Sequence, residues 1–191
     1  MAWGKLGSET LTSSGDLMNT GTIASNKFIQ VLGHLQDTGG IIYDFMRFNS
    51  VSTSTYARRR SVNGASEGTV VNNTFNEISN NTASDHFHVS YIFNLASEEK
   101  LVMNFSCEQK ATGASNIPER YESYGKWAET SNAITSIQMV NEGAGSYDTG
   151  SNISALGSDA VSSVTVQNGA VFEETDTNKH YLLDSGTWTE L

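Results

Sequence analysis

The chain has 191 residues, a formal net charge of −10, a pI near 4.7, one cysteine and one proline. That length suits one domain with room for a small appendage, and it needs no staples to support a core. Cys107 alone permits no intrachain disulfide. The only basic cluster, Arg58-Arg59-Arg60, argues against a nucleic-acid binder, and no apolar run is long enough to cross a bilayer.

The opening MAWGKLGSETL lacks the basic start and apolar run of a secretory leader, so the expectation is a product made soluble in a cytoplasm. Residues 3–11 read as an edge strand or a docking arm. Lys27 to Leu35 is a predicted strand with Ile29, Val31 and Leu35 on one side, and Ile41 to Asn49 is the next, after the turn Asp37-Thr38-Gly39-Gly40. Ser50 to Arg60 reads as a shorter polar strand, Ser61 to Val71 as a loop, and Asn73 to Ser79 as a modest strand. The arginine run is either a solvated edge blunted by charge or an electrostatic latch for an acidic partner surface.

The strongest pattern spans Asp85 to Lys110. Phe87, Val89, Tyr91, Phe93 and Leu95 alternate with His86, His88, Ser90 and Asn94; beyond the link Ala96-Ser97-Glu98-Glu99, Leu101, Met103, Phe105 and Cys107 alternate with Asn104, Ser106 and Glu108. This predicts a long antiparallel hairpin whose large apolar side chains form the core face, at roughly 1.5–3 kcal/mol each when fully buried, and whose polar side is wet. On that reading Cys107 is a buried small hydrophobe.

Ala111 to Tyr121 then reads as a loop around Pro118, Trp127 as a core residue, Ala133 to Val140 as a strand burying Ile134 and Ile137, and Ser151 to Gly157 as the closing strand. Strands every eight to twelve residues with turn chemistry between them predict an all-β fold, an antiparallel β-sandwich of jelly-roll type over residues 1–160. A linker begins near Asp159. Residues 161–191 form the second unit, a small three-strand β-meander over Val171 to Leu191 with turns at Asp176-Thr177-Asn178 and Asp184-Ser185-Gly186.

Candidate chemistry is thin. His86 and His88 could present two imidazoles to one metal from a strand, with Asp85 or a residue of the neighbouring strand needed as third ligand. Two polar residues of a wet face are the simpler reading, and no metal is expected. Glu98 and Glu99 share one link, which suits turn charges better than a glycosidase pair. No G-x-S-x-G elbow or phosphate-cradling glycine loop is present, and no nucleophile, base and orienting group stand together, so no enzyme and no cofactor are expected. Four Asn-x-Ser/Thr sequons carry no weight without a secretory leader.

The segments AWGKLGSETL, MRFN, NLASEEKLV, GKWAETSNAITSI and SALGSD resemble a group of small virion proteins of tailed phages, and FEETDTNKHYLLDSGTWTEL resembles a short C-terminal element of phage surface proteins. The resemblance covers nearly the whole chain and contains no catalytic signature. It implies a β-sandwich on the outside of a particle. The expectation that follows is a capsid decoration or cement subunit that clamps the major capsid protein or other virion subunits, as a homo-trimer, with Trp3, Leu6, Arg58, Arg59 and Arg60 as contact residues. The alternative is a tail-fibre or head-fibre module that recognises host-surface glycan through exposed aromatics such as Tyr121, Tyr124, Trp127 or Tyr147.

Overall fold

The computed structural model describes residues 3–79, 83–159, 168–174 and 176–191. In chain order the first strands are β1 (Gly4–Thr10), β2 (Leu17–Asn19), β3 (Phe28–Leu35), β4 (Asp44–Phe48) and β5 (Tyr56–Val62). Next come β6 (Gly68–Asn73), β7 (Asn76–Glu77), β8 (His86–Phe93), β9 (Lys100–Glu108) and β10 (Glu119–Trp127). The last are β11 (Ile137–Asn141), β12 (Asn152–Ser158), β13 (Val171–Glu174), β14 (Lys179–Asp184) and β15 (Thr187–Glu190). Chain contacts divide these into two compact units, Ala2–Asp159 and Ala160–Leu191.

The large unit holds two antiparallel sheets, one of eight strands in the order β1-β12-β3-β8-β9-β10-β5-β6 and one of four in the order β2-β11-β4-β7. The fold is therefore all-β and sandwich-like, as the turn-rich sequence predicts. This strand order does not establish the jelly-roll refinement, because β8, β9 and β10 run as a plain meander through the middle of the eight-strand sheet. The apolar core lies between the sheets: Ile29, Val31 and Leu35 of β3 and Ile92, Val102 and Trp127 of the meander meet Met46, Phe48, Ile137 and Met139 of the small sheet. The rings of Tyr56 and Trp127 stack at 6.1 Å and 13°. Local turn chemistry agrees with the sequence where two residues reverse the chain, as at Ser185-Gly186, both in the left-handed region that a tight hairpin requires.

The central hairpin forms where the alternation predicts, but its two sides are exchanged. His86, His88, Ser90, Ile92 and Asn94 are buried, as are Lys100, Val102, Asn104, Ser106 and Glu108; Phe87, Tyr91, Leu101, Met103, Phe105 and Cys107 are exposed. The expected dry face is the outer one, and Cys107 is not a core residue. The physical reason is that most of the inner polar groups meet fixed partners in neighbouring strands and loops, so their burial does not leave them bare. Ser90 Oγ donates to Asn104 Oδ1 at 2.6 Å, Asn104 Nδ2 donates to Ser123 Oγ at 2.9 Å, and Ser123 Oγ donates to the Glu77 carbonyl at 2.7 Å. Ser106 Oγ donates to the carbonyl of Ile78. Asn94 accepts from the Ile134 amide at 2.7 Å and donates to the Asn26 carbonyl at 3.1 Å. Lys100 is fully buried and its ammonium donates to the carbonyls of Ala96, Glu98 and Glu129, with the Trp127 ring 5.8 Å away.

Other boundaries also differ from expectation. β10 starts at Glu119, inside the stretch read as a loop, and β6 occupies part of the expected loop at 61–71. β1 is one of the two edge strands of the large sheet, β6 being the other. The linker read from Asp159 onward falls almost wholly outside the described residues.

In the small unit β13, β14 and β15 make one antiparallel three-strand sheet. Leu183 is its buried apolar residue, whereas Val171, Phe172 and Trp188 are exposed.

Candidate binding surface

Two buried charge clusters lie between the sheets of the large unit. In the first, β7 sends Glu77 toward β5 and β10. Both Arg58 and Arg60 ion-pair with its carboxylate, and Tyr121 donates to Glu77 Oε1 at 2.8 Å. Alternation along β5 explains the pairing, since Arg58 and Arg60 share one side and Arg59 takes the other, where it meets Glu67 at 2.8 Å. Burial first, and then the neighbouring carboxylate, push the Tyr121 phenol well above its usual range. The arginine run is thus split: Arg58 and Arg60 hold an internal acid, and Arg59 is the residue of the run that is exposed. Of the expected latch residues, Arg58 is enclosed, Arg60 is partly exposed and Arg59 is exposed.

In the second cluster, β4 sends Asp44 toward β8. His86 Nε2 stands 3.0 Å from Asp44 Oδ2, Ser79 donates to the same oxygen, and His86 Nδ1 faces the Ser84 carbonyl at 3.4 Å. Burial pulls the His86 imidazole down, but the Asp44 carboxylate, with Glu108 behind it, more than reverses this and holds its pKa above the ordinary value. Burial likewise opposes Asp44, and His86 with Ser79 brings its carboxyl below the usual range. His88 differs. It is fully buried, neither ring nitrogen has a hydrogen-bond partner among the described residues, and burial drives its pKa down to about 3. Gly33 of β3 makes room for the ring, since a Cβ there would lie 2.0 Å from His88 Cε1.

His86 and His88 therefore do share one face, but it is the inner face. Among the described residues no group of three or more His, Cys, Asp or Glu side chains is placed to hold a metal. The Asp44–His86 pair is closed from solvent and the Glu77 cluster reaches solvent mainly through Arg60, so the arrangement suits fixing two sheets together.

The outer side of the meander offers what the inner side does not. Cross-strand register places Tyr91, Met103 and Tyr124 in one row, Val89, Phe105 and Glu122 in the next, and Phe93, Leu101 and Lys126 in another. Phe87, Tyr91, Leu101, Met103, Phe105 and Tyr124 are each 38–55% exposed, and Phe105 meets Tyr124 edge-on at 6.3 Å. This is an apolar face on the paired strands β8 and β9 that reaches Tyr124 of β10, where Glu122 and Lys126 border it. Of the other contact residues expected from sequence, Trp3 is exposed and Leu6 packs against the core. Of the expected sugar-stacking aromatics, Tyr124 is exposed, and Tyr121, Trp127 and Tyr147 are buried. Sequence reasoning assigned the outer residues of β8 and β9 to the interior and Tyr124 of β10 to the surface; alternation gives two unlike sides without saying which is covered.

The small unit has a hollow of about 360 Å³ lined by Phe172, Glu174, Tyr181 and Trp188. Thr177 donates to Glu174, whose carboxylate also lies 3.5 Å from the Tyr181 hydroxyl. No protein-family model, curated protein or solved structure matches the chain.

Proposed function

We propose that this chain is a non-enzymatic structural subunit of a tailed-phage particle, a decoration or cement protein on the outer surface of the head. The observation that carries the reading is the apolar outer face of β8, β9 and β10: a monomer has no use for six half-exposed large side chains in register, whereas a subunit that works by docking does. The sequence resemblance to phage virion proteins supplies the setting. In that setting the protein acts by adding buried surface across joints between shell subunits, and its inner ion clusters keep the docking sheet rigid. Quantitative mass spectrometry of purified particles tests it. Hundreds of copies per particle are expected; a protein missing from particles would end the proposal.

A second reading is favoured by a different observation. The hollow of the small unit combines three aromatic rings with an acceptor carboxylate, the mixture that sugar recognition uses. On this reading the chain is a fibre module that holds host glycan. Glycan-array binding lost in a Trp188→Ala variant, together with a handful of copies per particle, would favour it over head decoration.

A further inference from the structure

We infer that the outer face of β8, β9 and β10 is a self-association surface, covered by the same face of a second copy of this chain. The inference deepens the structural-subunit reading and rests on it for its biological setting. Three observations select a second copy as the occupant.

The first is area. At ~200 Å² for a full aromatic or long aliphatic side chain, the six exposed residues present on the order of 500 Å², the upper end of what monomers leave open. The half-buried Leu32, Val89 and Phe93 adjoin them through the register of β3, β8 and β9. With these the face approaches the ~800 Å² per partner of a standard stable interface.

The second is charge. The chain carries −10 overall, so two copies meeting at random surfaces repel. The rim of this face is balanced instead: Arg59 pairs with Glu67, Arg120 with Glu122, and Lys126 with Glu99. A strongly basic or strongly acidic partner gains nothing from a rim already neutralised, whereas an identical face meets it without repulsion.

The third is composition. The face mixes aromatic rings with Met103 and lacks charged residues at its centre, as the cores of same-chain interfaces do. A face that meets itself is isologous, so the pair has a two-fold axis.

The test uses the full chain. Native mass spectrometry and sedimentation should give twice the single-chain 20.7 kDa, and a three-chain mass would count against a two-fold pair. A Leu101→Thr, Phe105→Thr double variant, which keeps strand-forming residues on the outer side, should run at the single-chain mass with an unchanged far-ultraviolet spectrum. Cys107 is the chain's one cysteine and is exposed beside Phe87 in the register of this face. Its reaction with a maleimide should be slow in the native chain and fast in the variant, a readout that misfolding of the buried layer would not imitate if the spectrum holds. A native chain that sediments at 20.7 kDa at micromolar concentration, with a fast-reacting Cys107, overturns the inference. The two readings fail separately. A single-chain mass in solution, with the double variant lost from particles, would make a shell protein the occupant and leave the proposed function standing. A two-fold pair absent from particles would keep the inference and remove that function.

Discussion

The two faces of the β8–β9–β10 meander are made by the same strands and come from the same alternation, yet they obey opposite rules. The inner face carries histidine, asparagine, serine, lysine and glutamate, and its core-ward half is completed by Ile92, Val102 and Trp127. The outer face is aromatic and aliphatic and open. The difference teaches that burial follows available partners as much as hydropathy. Most polar side chains that go inside here meet a fixed acceptor or donor, whereas His88 goes in without one and uncharged.

The sharpest way to break this comparison is to remove one inner partner. Glu77→Gln leaves two guanidinium groups, one of them nearly inaccessible, without their carboxylate. We expect a loss of about 3–5 kcal/mol in unfolding free energy by urea titration. A loss below ~1 kcal/mol would mean that the inner polar layer is not a structural one.

Gly33→Ala comes next. The added Cβ collides with the fully buried His88 ring. The expected cost is about 1–3 kcal/mol by the same titration. A neutral result would show that His88 can leave its place.

The pH dependence separates the two histidines. Unfolded His88 takes up a proton near 6.5 but folded His88 only near 3. Stability therefore falls as pH drops below 6.5, by up to about 1.4 kcal/mol per pH unit. His86 works in the opposite sense: its folded pKa is raised, so its contribution is full below the unfolded value and is lost as the pH rises through the folded value. Between pH 6.5 and pH 5 a His88→Gln variant should therefore gain about 2 kcal/mol on the parent chain. Parallel stability curves for parent and variant would refute the buried, neutral state of His88.

The smallest effect belongs to the outer face. Leu101→Thr should change the single-chain unfolding free energy by no more than about 0.5 kcal/mol. It should also weaken the concentration dependence of the parent's melting midpoint, because that dependence comes from copies binding one another. A loss of several kcal/mol in dilute solution would show that the outer face is covered by its own chain.

How far the fold can be read from sequence follows from the same contrast. Short-range signals suffice for the strands: alternation from 86 to 93 and from 100 to 108, the polar link between them, and the turn residues of the C-terminal meander all predict elements that form. Which side of the hairpin is inside depends on Asp44, Glu77, Ile78, Ser123 and Glu129, separated by up to 46 residues from the groups they satisfy. Nothing local marks those pairings. Arg58 and Arg60 show the same limit, since a basic run on an acidic protein reads as an exposed patch until Glu77 is placed beneath it. Beta-strand parity was a usable clue there, because a run of three on a strand cannot face one way.

The caged ammonium at the end of the central hairpin has a practical consequence. Of the six lysines in the chain, Lys100 is the one sealed among three carbonyls and an indole ring. Acylating reagents will reach it only during excursions in which the link from Ala96 to Glu99 lifts away. The residue is thus a natural clock: its labelling rate, set beside that of the exposed lysines, would report how often that link opens.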